Sequence, residues 1–167
     1  MMRLWYAQCM SSPTIAPRFR ASSSKEPFVG EVNVRALLEN AFDRENVRRG
    51  LIEEHQVRRT ELDIVVDTGA TQLVLPEEVV EQLGLTPMGT TQVTYADDRS
   101  ERRPAAGIVS VLVEGRDAPV KCVVGRRGTE PLLGQIVLET TDLLVDCTRQ
   151  RLVPNPESPD MPSYKIK

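Results

Sequence analysis

The 167-residue sequence contains few of the residues on which most catalytic and structural centres depend. It has one histidine, His55, and three cysteines, Cys9, Cys122 and Cys147, which lie far apart and form no C-x-x-C pair. This scarcity argues against a zinc site, a disulfide framework and catalysis by a histidine-activated nucleophile. We therefore predict that the protein uses neither a metal nor a cofactor.

Charge and hydropathy argue against further classes of protein. The formal net charge is −3 with acidic and basic residues interspersed, so no extended basic surface for nucleic acid is predicted. No apolar run is long enough to span a membrane, and a cytoplasmic location is expected. Residues 1–28 are basic and contain several serines, a composition loosely typical of organelle transit peptides. We interpret them as a disordered or processed extension, with targeting as the alternative.

Aromatic residues make up only 4% of the chain, so a core must be built mainly from Val, Leu and Ile. Short apolar alternations bounded by Gly, Pro, Asn and Asp predict many short strands. We expect strands at 29–38, 62–66, 91–95, 107–113, 120–124, 143–145 and 151–153, the last two forming a hairpin. Helices are expected at 44–49 with Asp43 as N-cap, after Pro76, and at 135–141.

This pattern predicts a mostly β fold, a barrel or sandwich with two or three short helices. The domain is expected to span residues 29–154, with Cys122 as a small core residue. Residues 155–167 are rich in proline and are predicted to form a flexible tail.

One Asp-Thr-Gly triplet follows the continuous apolar run at 64–66. Burying the Asp67 carboxylate costs free energy unless it is paired or hydrogen-bonded, whereas Gly69 lets the backbone turn tightly. From these residues alone two interpretations stay open. Asp67 either ends a strand in an ordinary turn of a small β-rich domain, or belongs to a catalytic site.

The segment Asp67-Thr68-Gly69-Ala70, with aliphatic residues before it, resembles the active-site segment of the retroviral-type, or retropepsin-like, aspartic peptidases. The resemblance extends over about 29–154 and is greatest to the prokaryotic branch of this clan. It implies a closed β-barrel of the acid-protease fold, with one lobe per chain. It also implies that Asp67 is catalytic, that Thr68 hydrogen-bonds across a dimer, and that Gly69 and Ala70 support the site and its substrate groove.

Two further segments carry the resemblance. About 65 residues downstream, two aliphatic residues and a glycine resemble the family's second motif, which packs behind the catalytic turn: Leu132, Leu133 and Gly134. Between the motifs lies a hairpin where the family has its flap, and the residues implied to contact substrate are Tyr95, Ala96, Asp97, Asp98 and Arg99. The retroviral enzymes pair an Asp with an Arg at the positions that hold Thr71 and Gln135 here, so we expect a neutral hydrogen bond instead.

Peptide hydrolysis by this chemistry requires two carboxylates, one to deprotonate water and one to protonate the leaving nitrogen. Because the chain has a single Asp-Thr-Gly, the active unit is expected to be a homodimer in which both copies of Asp67 meet. The predicted function is an aspartic endopeptidase acting on peptides or proteins. The alternative is a retropepsin-fold dimer that binds peptide or protein with little or no catalysis.

Overall fold

The computed structural model describes residues 30–164. In this range the strands are β1 (Val32–Asn40), β2 (Arg59–Val66), β3 (Leu73–Pro76), β4 (Thr86–Thr94), β5 (Ser100–Val113), β6 (Arg116–Gly125), β7 (Leu132–Leu133), β8 (Leu143–Asp146) and β9 (Arg151–Pro154). The helices are α1 (Ala41–Arg48), α2 (Glu77–Gln82), α3 (Gln135–Thr141) and a 3-10 turn at Glu54–Gln56. The prediction of a mostly β fold with two or three short helices is confirmed.

The main sheet closes on itself. Its strands follow the order β1-β2-β7-β3-β6-β5, and β5 pairs again with β1 to complete a ring. This closure agrees with the predicted barrel. Within the part of the chain that the structure describes, strand β4 pairs with β5 and with no other strand, so the β4–β5 hairpin extends from the ring. Strands β8 and β9 form a separate hairpin, as the sequence predicts.

Aliphatic side chains fill the ring. Along β1, every second side chain is buried, as the alternation predicts: Val32, Val34, Ala36 and Leu38. These side chains join one continuous core with residues from the other strands and from α3. Cys122 is part of this core, and burial raises the pKa of its thiol to about 11.

Helix α1 begins earlier than predicted, and its N-cap is Asn40 rather than Asp43. The Asn40 side chain accepts hydrogen bonds from the backbone N–H groups of Phe42 and Asp43 at 2.9 and 3.2 Å. Its amide donates to the carbonyl oxygens of Leu83 and Gly84. Asn40 therefore joins the start of α1 to the end of α2, which a local capping signal cannot reveal.

Asp43 has a different role, as the partner of Arg58. Its carboxylate accepts from Nε and Nη2 of Arg58 at 2.7 Å each and from the Arg58 backbone N–H at 3.1 Å. The side-chain hydrogen bonds from Arg58 lower the pKa of Asp43 below its ordinary value. The residue itself is buried.

We expect Asp43→Asn to lower the free energy of unfolding at neutral pH by about 1–2 kcal/mol, since charge-assisted hydrogen bonds are lost. Because the folded-state pKa is depressed, the stabilisation is present above the unfolded-state pKa of about 4 and is lost as pH falls through the folded value. Urea unfolding at a series of pH values measures both effects, and the variant should lose less stability in acid than the wild type.

Asp63→Asn is the matched control. Asp63 is exposed on β2 and pairs with Arg35 at 3.3 Å on the surface, so its loss should change stability by less than about 0.5 kcal/mol. Equal effects of the two substitutions would contradict the role assigned to Asp43.

The segment after Pro154, predicted to be a flexible tail, makes specific contacts through Arg116. This buried guanidinium donates to the carbonyl oxygens of Thr141 and Asp142 at 2.8 Å. It also donates to those of Ser158 and Pro159 at 2.6 and 3.2 Å. One arginine thus connects the end of α3 to residues 158–159. Residues 165–167 lie outside the described range, as do residues 1–29 with the predicted extension.

No helix within residues 30–164 combines the length and the apolar character needed to cross a membrane.

Candidate active site

The order of the strands shapes the loop that carries Asp67. Short strand β7 lies between β2 and β3, parallel to β2 and antiparallel to β3. The loop from β2 to β3, residues 67–72, must therefore pass over the end of β7. A hydrogen bond of 3.1 Å from the Asp67 N–H to the Leu133 carbonyl fixes the start of this loop.

Asp67 is held in a tight turn. Its Oδ1 accepts from the Gly69 N–H at 2.9 Å, and its carbonyl accepts from the Ala70 N–H at 3.2 Å. A Cβ at position 69 would lie 3.2 Å from Oδ1, closer than ordinary contact, which favours glycine there. The Asp67 side chain is half-buried, whereas Thr68 is exposed and its hydroxyl makes no hydrogen bond with residues 30–164.

Gly134 lies directly beneath this loop. A Cβ added there would be 2.3 Å from the Gln72 carbonyl oxygen and 2.7 Å from that of Ala70. The backbone of Gly134 itself is extended, with φ −85° and ψ 177°, so close approach rather than conformation requires glycine. Gly134 thus lets the two motif segments come into backbone contact.

Backbone hydrogen bonds continue this contact into α3. The Gln135 N–H donates to the Ala70 carbonyl at 2.8 Å, and the Ile136 N–H donates to that of Thr71 at 3.1 Å. The side chains of Thr71 and Gln135 make no hydrogen bond to each other in the described part of the chain. The neutral pair expected there is thus replaced by main-chain hydrogen bonds.

A groove of about 810 Å³ opens beside Asp67. Its floor is formed by the turn, its roof by the β4–β5 hairpin, and its far wall by the end of β6 and the loop after it. The lining residues are Asp67, Gly69, Ala70, Thr71, Gln72, Val74, Thr91, Gln92, Val93, Thr94, Tyr95, Ala96, Arg99, Glu101, Arg103, Val123, Gly125, Arg126, Thr129 and Leu132. The volume is within the range of sites that bind small ligands or peptide segments.

The tip of the hairpin is fixed by polar contacts. Arg99 donates from Nε to Asp97 at 2.7 Å, and its guanidinium lies 5.4 Å from the centre of the Tyr95 ring. Asp98 has a left-handed backbone with φ 60°, which Asp adopts more readily than most residues. Tyr95 Oη donates to Glu101 at 2.6 Å, bridging the two arms of the hairpin.

Glu101 is the acidic residue of the groove other than Asp67. The hydrogen bond from Tyr95 lowers the pKa of Glu101, and the nearby charges of Arg103 and Arg126 act in the same direction. The same hydrogen bond raises the pKa of the Tyr95 hydroxyl. Glu101 is thus an ionised group, suited to pairing with cations and poorly suited to donating a proton.

Comparison with known families identifies the chain. A family model described as "gag-polyprotein putative aspartyl protease" matches residues 54–140, just over half of the sequence. The match contains the Asp67 turn, the hairpin and the Gly134 segment. The chain belongs to this aspartyl protease family.

Similarity to solved structures and to curated protein sequences is weaker. The protease of EIAV complexed with the inhibitor HBY-793 superposes with a TM-score of 0.47 and 16% sequence identity, covering 71% of this chain and 91% of that one. No curated protein sequence matches the chain. Assignment to the prokaryotic branch of the aspartyl proteases stays a prediction.

Within this aspartyl protease domain, most residues predicted for the site lie together. Asp67, Gly69, Ala70 and Leu132 line the groove, as do Tyr95, Ala96 and Arg99 of the hairpin. Leu133 and Gly134 are buried behind the turn. The other three predicted residues, Thr68, Asp97 and Asp98, do not line it.

Sequence analysis did not find the groove residues on β5 or after β6. Glu101 and Arg103 alternate on β5, a signal that could have been found had the strand been extended back to Ser100. Arg126 and Thr129 lie in the loop immediately before the second motif. That position close to a predicted site could have marked them as candidates.

Proposed function

We propose that the protein is an aspartic endopeptidase whose active form is a homodimer. The observation that supports this most directly is the placement of the half-buried Asp67 in a hydrogen-bonded turn beside a groove covered by a hairpin. Membership of the aspartyl protease family makes peptide-bond hydrolysis the expected chemistry.

The proposed reaction uses one carboxylate from each chain. Two carboxyl groups held about 3 Å apart cannot both ionise, so they share a proton. The ionised Asp67 removes a proton from water while the neutral Asp67 of the other chain hydrogen-bonds the substrate carbonyl. As the water loses this proton, its oxygen bonds to the carbonyl carbon. The neutral carboxyl then protonates the nitrogen while the C–N bond breaks, so the two carboxyl groups have exchanged protonation states.

Glu101 is a poor candidate for the second carboxylate. It lies in the same groove, but its pKa is lowered by the Tyr95 hydroxyl and two arginines, so it stays ionised where a proton donor is needed. A second Asp67 in a symmetric dimer has the same surroundings as the first and can share its proton. This difference favours the two-chain site over one built within a single chain.

Thr68 is suited to the dimer contact. Its side chain is exposed directly beside Asp67, and its hydroxyl makes no hydrogen bond with residues 30–164. A twofold axis close to Asp67 brings the two Thr68 hydroxyls near the opposite turn, where each can donate to its backbone. The substrate is expected to lie extended along the groove, above Gly69 and beneath the hairpin.

The experiment that tests this function combines size and activity. Purified protein is examined by sedimentation equilibrium and incubated with a randomised octapeptide library between about pH 4 and 7, with and without a pepstatin-type inhibitor. We expect a dimer, cleavage products and inhibition. A dimer that cleaves no peptide would leave only the binding-module alternative, and a monomer that cleaves peptides would contradict the shared site.

A further inference from the structure

The groove continues into a smaller cavity of about 400 Å³. Arg103, Gly125 and Arg126 line both spaces, so the two are contiguous. The smaller cavity is lined by four ionisable residues: Arg103, Arg126, Arg127 and Glu77. Arg127 is paired with Glu77 and Glu81, whereas Arg103 and Arg126 share the single carboxylate of Glu101. The excess positive charge at this end of the groove therefore lies at Arg103 and Arg126.

Among the three arginines that line the smaller cavity, Arg126 has a guanidinium whose hydrogen-bonding capacity is unused. Its side chain is 79% exposed, and its ionic partner Glu101 lies 3.7 Å away, beyond hydrogen-bond distance. Its guanidinium donates no hydrogen bond to residues 30–164, whereas its backbone carbonyl accepts from the Thr129 N–H at 3.0 Å. By contrast, Arg127 bonds to Glu81 and Arg99 bonds to Asp97.

Arg103 adds a fixed positive charge beside it. Its Nε and Nη2 donate to the Val124 carbonyl at 3.2 and 2.8 Å, and its side chain is only 17% exposed. Glu101 lies 3.8 Å from Arg103, and its Oε1 already accepts from Tyr95. One carboxylate thus faces two guanidinium groups without a hydrogen bond to either, which leaves room for a second anion.

We propose that this end of the groove is a subsite for an acidic side chain of the substrate, an Asp or Glu whose carboxylate binds Arg126. A guanidinium presents paired N–H donors that match a carboxylate, and Arg103 strengthens the local positive potential. The proposal rests on the proposed function, because it names the substrate class of that same groove.

Symmetry adds a second consequence. In a homodimer the twofold axis through the Asp67 pair places a second Arg126 on the opposite side of the scissile bond. The preference for an acidic residue should therefore occur at two peptide positions, one on each side of that bond.

Two sets of octapeptides test the subsite. One set has Glu at a fixed position, the other has Gln at the same position, and all other positions are random. We expect wild-type kcat/KM to favour Glu by about three- to tenfold at the subsite positions near pH 6, because a partly exposed ion pair is worth a modest factor. The preference should shrink in high salt and vanish below the substrate carboxyl pKa of about 4. Arg126→Gln should cleave both sets equally.

Arg102→Gln is the matched control. Arg102 precedes Arg103 on β5, is exposed and lines neither cavity, so the same change of charge should leave the Glu preference intact. An undiminished preference in Arg126→Gln, or equal loss in Arg102→Gln, would overturn the assignment.

Binding separates this proposal from the catalytic one. Fluorescein-labelled Glu and Gln sets are titrated with the Asp67→Asn protein, and with Asp67→Asn combined with Arg126→Gln. A Glu preference that needs Arg126 supports the subsite even when the wild type cleaves nothing, in which case only the proposed function fails. Equal binding of the two sets, or no binding of either at millimolar protein, overturns the subsite.

Discussion

An equimolar mixture of wild-type and Asp67→Asn chains, refolded together, is expected to retain about a quarter of the activity of the same total amount of wild type. Random pairing makes one dimer in four fully wild type, and a mixed dimer has only one carboxylate where two must share a proton. The pure Asp67→Asn dimer should lose activity on the order of a thousandfold or more. Initial rates of peptide cleavage over a series of mixing ratios provide the measurement.

The dependence of activity on the wild-type fraction distinguishes a site shared by two chains from a site complete within each chain. A site complete within each chain gives activity proportional to the wild-type fraction, so about half would remain at the equimolar point. Asp63→Asn, the same substitution four residues earlier on the exposed face of β2, should leave full activity at every ratio. A linear decrease with Asp67→Asn would contradict the two-chain site.

Gly134→Ala is expected to lower the free energy of unfolding by about 3 kcal/mol, near the upper end for a single overpacked methyl group. The new Cβ would overlap the carbonyl oxygens of Gln72 and Ala70, and both belong to backbone rather than to movable side chains. Relief requires the loop to move away from α3, which breaks the hydrogen bond between Gln135 and Ala70. Denaturant unfolding gives the loss of stability.

Gly128→Ala is the matched glycine control. Nothing lies within 4 Å of a Cβ at Gly128, so only its positive φ of 73° opposes alanine, at about 1 kcal/mol. Amide exchange adds a local measurement, since the N–H groups of Gln135 and Ile136 should lose protection in Gly134→Ala alone. If Gly134→Ala and Gly128→Ala were equally stable, the loop at residues 67–72 would accommodate the new methyl group without loss of stability, and the prediction would be wrong.

Elements bounded by strong local signals were predictable from sequence. Helix α3 begins and ends as predicted because Gly134 precedes it and Asp142 adopts a left-handed backbone after it. The β8–β9 hairpin also agrees. For α1, Asn40 and Asp43 are both good N-caps, and local chemistry cannot choose between them. Tertiary contacts determine which residue is the N-cap. Asn40 is held at the helix start by its hydrogen bond to the Leu83 carbonyl, whereas Asp43 is paired with Arg58.

The full length of the β4–β5 hairpin could not be predicted from the sequence. Residues 86–90, 92 and 94 are exposed, as are alternate residues at the start of β5, so a continuous apolar face is missing along most of both arms. The predicted strands at 91–95 and 107–113 were therefore too short. Sequence position could mark Glu101, Arg103 and Arg126 as separate candidates, but it could not show that the three side chains lie together in one groove. Their proximity depends on how far the hairpin extends beside β6, which is set by pairing over a long sequence separation.

The contacts of Arg116 have a consequence for how far the chain can be shortened. A chain cut after Pro154 would keep the buried guanidinium and its bonds to Thr141 and Asp142 but lose the carbonyl groups of Ser158 and Pro159. Leaving donors of a buried cation unsatisfied is costly. Any shortened version of the protein should therefore retain residues through at least 159. A fusion partner is better attached beyond Tyr164, outside the segment that Arg116 and Asp142 hold.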